Sequence, residues 1–140
     1  MSKIAVVYWS GTGNTESMAA MVAAGAKEAG AEAVLLTAAE FGPDQMDAYD
    51  AIAFGCPSMG AEQLEESEFE PMFSACEAKL SGKKIGLFGS YGWGDGEWMR
   101  SWESRCNDDG ANLACESVIC NEAPDDDALA ACRELGASLA

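Results

Sequence analysis

The sequence contains no histidine, and its six cysteines (Cys56, Cys76, Cys106, Cys115, Cys120 and Cys132) form no Cys-x-x-Cys pair. Metal-ligand spacing is therefore missing, and so is the commonest general acid–base side chain. Positive charge is scarce: eight Lys and Arg stand against 24 Asp and Glu, a formal net charge of −16. Such a field repels nucleic acid and anionic membranes and attracts basic faces of partner proteins. No run is long and apolar enough to suggest a membrane span, and neither end reads as a secretory leader. Cys76, Cys106 and Cys132 fall at apolar helical positions, where a free thiol acts as a small hydrophobe, so the expected setting is the reducing cytoplasm.

What is present suits one compact domain over residues 1–140, with 49% hydrophobic content and no room for a second core. Short apolar runs recur at Ile4 to Trp9, Ala33 to Leu36, Ala51 to Phe54 and Ile85 to Phe88, with a weaker one around Ser117 to Cys120. Each is unbroken rather than alternating, as in strands covered on both faces of a parallel sheet. Between them lie helical stripes: Met18, Met21, Val22, Gly25, Ala26 and Ala29; then Phe69, Met72, Phe73, Cys76 and Leu80; then Met99, Trp102 and Cys106; and last Leu129, Cys132, Gly136 and Leu139. The stretch from Thr37 to Asp50 fits neither period. The alternation predicts an α/β doubly wound three-layer sandwich with a five-stranded parallel sheet, order 2-1-3-4-5. Ligands then belong at the carboxyl edge, beside the loops after Trp9, Gly55 and Gly89.

Those three loops are chemically unusual. Ser10-Gly11-Thr12-Gly13-Asn14-Thr15 joins a strand to a helix, where unpaired N–H groups and the helix dipole favour a phosphate. It holds no cation, so the phosphate would rest on amides and hydroxyls alone. The second loop reads Gly55-Cys56-Pro57-Ser58-Met59-Gly60-Ala61-Glu62, and the third Gly89-Ser90-Tyr91-Gly92-Trp93-Gly94-Asp95-Gly96. Glycines around Tyr91 and Trp93 leave backbone bare for a planar ring, with an indole to cover it. The glutamates Glu65, Glu66, Glu68 and Glu70 read as a solvated face, Asp125 to Asp127 as a helix start, and Trp98 and Trp102 as core.

Other doubly wound sites are missing a residue each. A dinucleotide fingerprint needs a third glycine where Glu16 stands, and a triphosphate loop needs a lysine. A low-molecular-weight tyrosine phosphatase needs an arginine where Glu62 follows Cys56, and a receiver domain needs an acidic pair where Trp9 and Ser10 end the first strand.

With the Ser10 to Thr15 turn, the Met59-Gly60 loop and the Gly89 to Trp98 loop together, the whole chain resembles a flavodoxin of the short-chain class. The resemblance implies a low-potential one-electron carrier with non-covalently bound FMN, shuttling mainly between semiquinone and hydroquinone, and not an enzyme. Its phosphate would lie on Ser10, Gly11, Thr12, Gly13, Asn14, Thr15 and Ser90. Met59, within the Pro57-Ser58-Met59 segment, would cover the inner ring face and Trp93, beside Tyr91, the outer one. Glu62 would bind the pyrimidine edge, with the amides of Gly92 and Gly94 toward the ring carbonyls. The peptide from Gly60 to Ala61 would turn over on reduction, although many relatives carry aspartate where this chain has Ala61. Partners would be basic faces of redox proteins, ferredoxin-type partners included, and the carrier a cytoplasmic monomer. The alternative is a small NAD(P)H-dependent flavin or quinone reductase on the same cradle.

Overall fold

A computed structural model describes residues 2–59 and 62–140. The strands are β1 (Lys3–Tyr8), β2 (Glu32–Thr37), β3 (Ala51–Gly55), β4 (Lys84–Tyr91), β5 (Asn112–Leu113) and β6 (Val118–Asn121). The helices are α1 (Asn14–Glu28), α2 (Phe69–Cys76), α3 (Glu97–Asp108) and α4 (Asp126–Leu139). All strand pairings are parallel, in the order β2-β1-β3-β4, with β5 and β6 both on the far side of β4. The stretch after β2 that fits neither period folds as two 3₁₀ turns, Ala38–Glu40 and Pro43–Ala48, pinned by buried Phe41 and Met46.

The unbroken apolar runs have the expected cause. Along β1, Ala5 and Val7 join a core with Phe69, Phe73, Trp98 and Trp102 under α2 and α3. Ile4 and Val6 join a second core with Val22, Cys132 and Leu135 under α1 and α4. A strand residue on either face is therefore buried, and alternation disappears.

The five-stranded expectation needs one correction. The fifth position is shared by two short strands, β5 against Lys84 and Ile85 and β6 against Phe88 to Tyr91. Ala114 still donates to the Ile85 carbonyl at 3.0 Å, and then the chain swings off the ladder as the Ser117 hydroxyl donates to Glu103 on α3 at 2.7 Å. Only the second half carried a visible apolar run.

The solvated-face reading of the glutamates holds for the exposed Glu66 and Glu68 but fails at Glu65 and, in part, at the half-buried Glu70. Glu65 is 6% exposed, and its carboxylate accepts from the N–H groups of Ser67 at 2.9 Å, Glu68 at 2.7 Å and Phe69 at 2.9 Å, and from the Ser67 hydroxyl. It satisfies the amides that lead into α2. Glu70 and Glu77 clamp Arg105 at 2.7 and 2.6 Å, and Glu68 accepts from the Trp9 indole at 3.1 Å. Burial alone would raise the Glu65 carboxyl, but the hydrogen bonds from Ser67, Phe69 and Glu68 hold it below its ordinary value. A depressed folded pKa gives stability that is present above the unfolded value and lost as pH falls through the folded one. Glu65→Ala should therefore cost about 2 kcal/mol at pH 7, with the gap to the unchanged protein closing below about pH 4. Urea unfolding across that range reads it, and a pH-independent gap would rule out the capping role.

Candidate cofactor cleft

Backbone hydrogen bonds run past the strand ends and bind the loops side by side. Trp9 donates to the Gly55 carbonyl at 3.0 Å, Cys56 to Phe88 at 3.1 Å, Ser58 to Ser90 at 2.9 Å and Glu122 to Tyr91 at 2.7 Å. The carboxyl edge is thus a continuous shelf. Above it opens a cleft of about 500 Å³, within the range of small-molecule sites. Its walls come from Gly11, Thr12 and Asn14 in the first loop, Pro57, Ser58 and Met59 in the second, and Ser90, Tyr91 and Gly92 in the third.

The first loop is shaped for an anion. Gly13, at φ 96°, caps α1 in the left-handed region, which no side-chain-bearing residue occupies cheaply. The Ser10 hydroxyl accepts from the Gly13 N–H at 3.0 Å and tightens the turn, leaving its own proton free to donate. The first bond along the helix runs from Ser17 N–H to the Gly13 carbonyl, at 3.0 Å, so the N–H groups of Asn14, Thr15 and Glu16 point out of the helix end. Thr15 and Ser90, both buried, meet hydroxyl to hydroxyl at 3.3 Å and tie the first loop to the third.

Other expected site residues stand apart from the cleft walls. Ser10 and Gly13 line a neighbouring groove behind the turn, and Thr15 lies beneath it. Trp93 is 59% exposed on the loop after β4, outside the cleft lining. Glu62, at φ 54°, places its carboxylate against Gly94. Gly60 and Ala61, with the peptide expected to turn over, lie outside the described residues.

Three wall residues escaped sequence reasoning: Trp9, Glu122 and Ala123. Trp9 was absorbed into the first apolar run, and Glu122 and Ala123 follow the weakest strand. Extending the carboxyl-edge rule to the loop after β6 points to both. Cys56 is a brace rather than a contact. Burial pushes its thiol far up, its sulfur accepts from the Glu65 N–H at 3.3 Å, and its carbonyl accepts from the Trp98 indole at 3.1 Å.

Two buried oxygens in the second loop have no hydrogen-bond partner among the described residues, Ser58 Oγ and Glu62 Oε1. Orphaned buried oxygens are costly in a native fold unless a ligand meets them. A carboxylate suits the N–H of a heterocycle, a hydroxyl suits a polyol tail, and the α1 terminus suits a phosphate. The residues present fit FMN.

Residues 6–136 match the flavodoxin family. The chain is 47% identical over 137 residues to the flavodoxin of Megasphaera elsdenii, covering 98% of each, and 45% identical over 135 residues to that of Clostridium beijerinckii, covering 96% and 97%. The solution structure of two-electron reduced Megasphaera elsdenii flavodoxin superposes with a TM-score of 0.89, covering 97% of both chains. Identity at this level favours the electron carrier over the reductase alternative. From its doubly wound sheet to its cation-free phosphate turn, the chain belongs to the flavodoxins, electron-transfer proteins that work with bound FMN.

Proposed function

We propose that this flavodoxin is a low-potential carrier that moves single electrons between proteins with basic faces, as a monomer in the cytoplasm. One observation carries the reading: none of the eight basic side chains lines the cleft, in a chain of net charge −16. Six of them already bond to acceptors or face an aromatic ring elsewhere: Lys3 over Tyr49, Lys79 on Asp47, Lys83 on backbone carbonyls, Arg100 on Asp95 and Glu97, Arg105 on Glu70 and Glu77, and Arg133 on Glu28. When bound, FMN supplies the one-electron redox chemistry.

The chain's own groups hold and tune it. The amides of Gly11, Thr12, Asn14 and Thr15 and the hydroxyls of Ser10, Thr12, Thr15 and Ser90 would carry the phosphate, with Gly13 shaping the turn through its bond to Ser10. Pro57, Ser58 and Met59 form the inner wall, and Tyr91 and the Gly92 backbone the outer one. Trp93, exposed on the loop after β4, would cover the outer ring face and exclude water. Glu62 accepts from the pyrimidine N–H beside the Gly94 amide.

Carboxylates around the cleft oppose the arrival of negative charge. One at about 10 Å contributes roughly 0.4–1.7 kcal/mol, or roughly 20–70 mV for one electron. Glu122 is the carboxylate among the cleft's lining residues. Glu122→Gln should raise the lower one-electron potential by that amount at low salt and by less at high salt. Anaerobic potentiometric titration of the yellow protein measures it. Equal potentials at low salt would refute the electrostatic reading, and rapid NAD(P)H oxidation without an added reductase would refute the carrier itself.

A further inference from the structure

The cofactor cleft and the groove behind the phosphate turn meet at one side chain. The groove, of about 380 Å³, runs between the turn, the corner at residues 37–39 and Glu68, and it shares two wall residues with the cleft, Trp9 and Gly11. The half-buried indole is the partition between the two openings. Gly11 lies directly against it. Its φ is not positive, so backbone conformation does not call for glycine there. The ring does: an added Cβ would stand 3.1 Å from Trp9 Cη2 and 3.3 Å from its Cζ3. The outer edge of the indole thus rests on the bare backbone of the turn.

Two hydrogen bonds set that ring. The Trp9 backbone N–H donates to the Gly55 carbonyl at 3.0 Å and fixes the main chain, which leaves the two side-chain torsions. Cη2 and Cζ3 belong to the six-membered ring; on the five-membered one, Nε1–H donates to Glu68 Oε1 at 3.1 Å. A contact on each ring holds the indole in one orientation. Glu68 offers its oxygen from a fixed base, because it precedes α2 as the N-cap residue and its own N–H donates to Glu65 at 2.7 Å. The Glu68 side chain makes no cap bond to the helix, so holding the indole is a separate role.

We infer that Glu68 is a positioning residue: its hydrogen bond holds the Trp9 indole across the back of the phosphate turn, which closes the cofactor cleft from the groove side and slows the loss of FMN. The inference rests on the turn being the phosphate site. Water kept out from behind no longer competes for the amides and hydroxyls that meet the phosphate, and hydrogen bonds are stronger where water is excluded. Charge alone predicts the opposite. Glu68 lines the groove together with Ser10 and Gly11, so its carboxylate repels a phosphate on the turn, and its removal would tighten FMN if electrostatics governed. The sign of the effect separates the two.

The test compares Glu68→Ala, Glu68→Gln, Trp9→Phe and the Trp9→Phe/Glu68→Ala pair with the unchanged chain. FMN release is followed by the return of its fluorescence on dilution, and the Trp9 Nε1–H resonance by ¹⁵N correlation spectra with and without FMN. Glu68→Ala should speed release roughly three- to tenfold, the weight of one net hydrogen bond, at low and high salt alike. Glu68→Gln keeps an acceptor for the indole and should stay close to the unchanged chain. Trp9→Phe lacks the N–H and should release FMN about as fast as Glu68→Ala, which adds little in that background. The Trp9 resonance, identified by its loss in Trp9→Phe, should move upfield in Glu68→Ala and return in Glu68→Gln. Slower or unchanged release from Glu68→Ala, a glutamine variant as fast as the alanine one, additive losses in the pair, or a resonance indifferent to residue 68 would each overturn the inference. The resonance of the FMN-free chain needs no cofactor, so failure of the phosphate site is distinguishable from failure of the bond.

Discussion

Gly136→Ala is expected to lower the thermal midpoint by about 6–15 °C, although helix propensity alone predicts a rise. Alanine is about 1 kcal/mol better than glycine inside a helix, and Gly136 sits well within α4. The opposing effect is steric. A Cβ at Gly136 would lie 1.9 Å from the Val22 carbonyl oxygen and 2.9 Å from the Ala26 nitrogen, both backbone atoms of α1. Backbone cannot rotate away as a side chain can, so the two helices must part. Overpacking of this kind costs typically 1–3 kcal/mol and more when nothing yields, and a net loss of about 2–4 kcal/mol gives the stated shift.

Gly25 is the reciprocal contact, with its added Cβ 1.9 Å from the Arg133 carbonyl oxygen. Once one substitution has separated the helices, the second meets less resistance, and the double variant should fall short of the sum. α1 also carries the phosphate turn at its start, so FMN affinity should weaken with stability. Calorimetry of the single and double variants settles the balance; a higher midpoint for Gly136→Ala would mean that the helices do not approach this closely.

That crossing shows what a sequence discloses. Gly25 and Gly136 stood in the apolar stripes of their helices, so their burial was legible, but that they face another helix's backbone was not. A stripe reports which side is inward and says nothing of distance. The same limit explains Glu65. Among Glu65 to Glu70 every glutamate looks alike, and only the turn before α2 decides that one carboxylate folds inward onto three amides while Glu66 remains in water.

The cleft-forming loops were legible because strand and helix periods locate the carboxyl edge independently of chemistry, and glycines and hydroxyls of all three fell on it, whereas the Trp93 indole stands outside the cleft lining. Trp9 was not legible: an aromatic at the end of an apolar run reads as more strand, and its place in the wall depends on its hydrogen bond to Glu68, 59 positions away. The divided fifth strand was half legible, since two paired residues at Asn112–Leu113 are too few to show a period.

Gly94→Ala should weaken FMN binding by roughly 10- to 150-fold while leaving the stability of the core nearly untouched. Two effects act at this position, and they act on different quantities. Gly94 has φ 84°, so alanine there is strained with or without cofactor, a cost that falls on the loop and cancels in the binding equilibrium. The added Cβ would also stand 2.3 Å from Glu62 Oε1 and 2.6 Å from its Cδ. That group is the far end of a flexible side chain and can swing aside at little cost to folding. In doing so it leaves the position from which its carboxylate would accept from the pyrimidine edge in the proposed binding mode, and a hydrogen bond to a charged group is worth roughly 1.5–3 kcal/mol. Affinity falls by that amount, which gives the stated range. The mechanism is separable by a double-mutant cycle. Glu62→Ala should itself weaken binding to a similar degree, and in that background Gly94→Ala should cost almost nothing further, because the carboxylate it displaces is gone. Quenching of FMN fluorescence by the four apoproteins measures the cycle, and additive losses would show that Gly94 and Glu62 serve the cofactor independently.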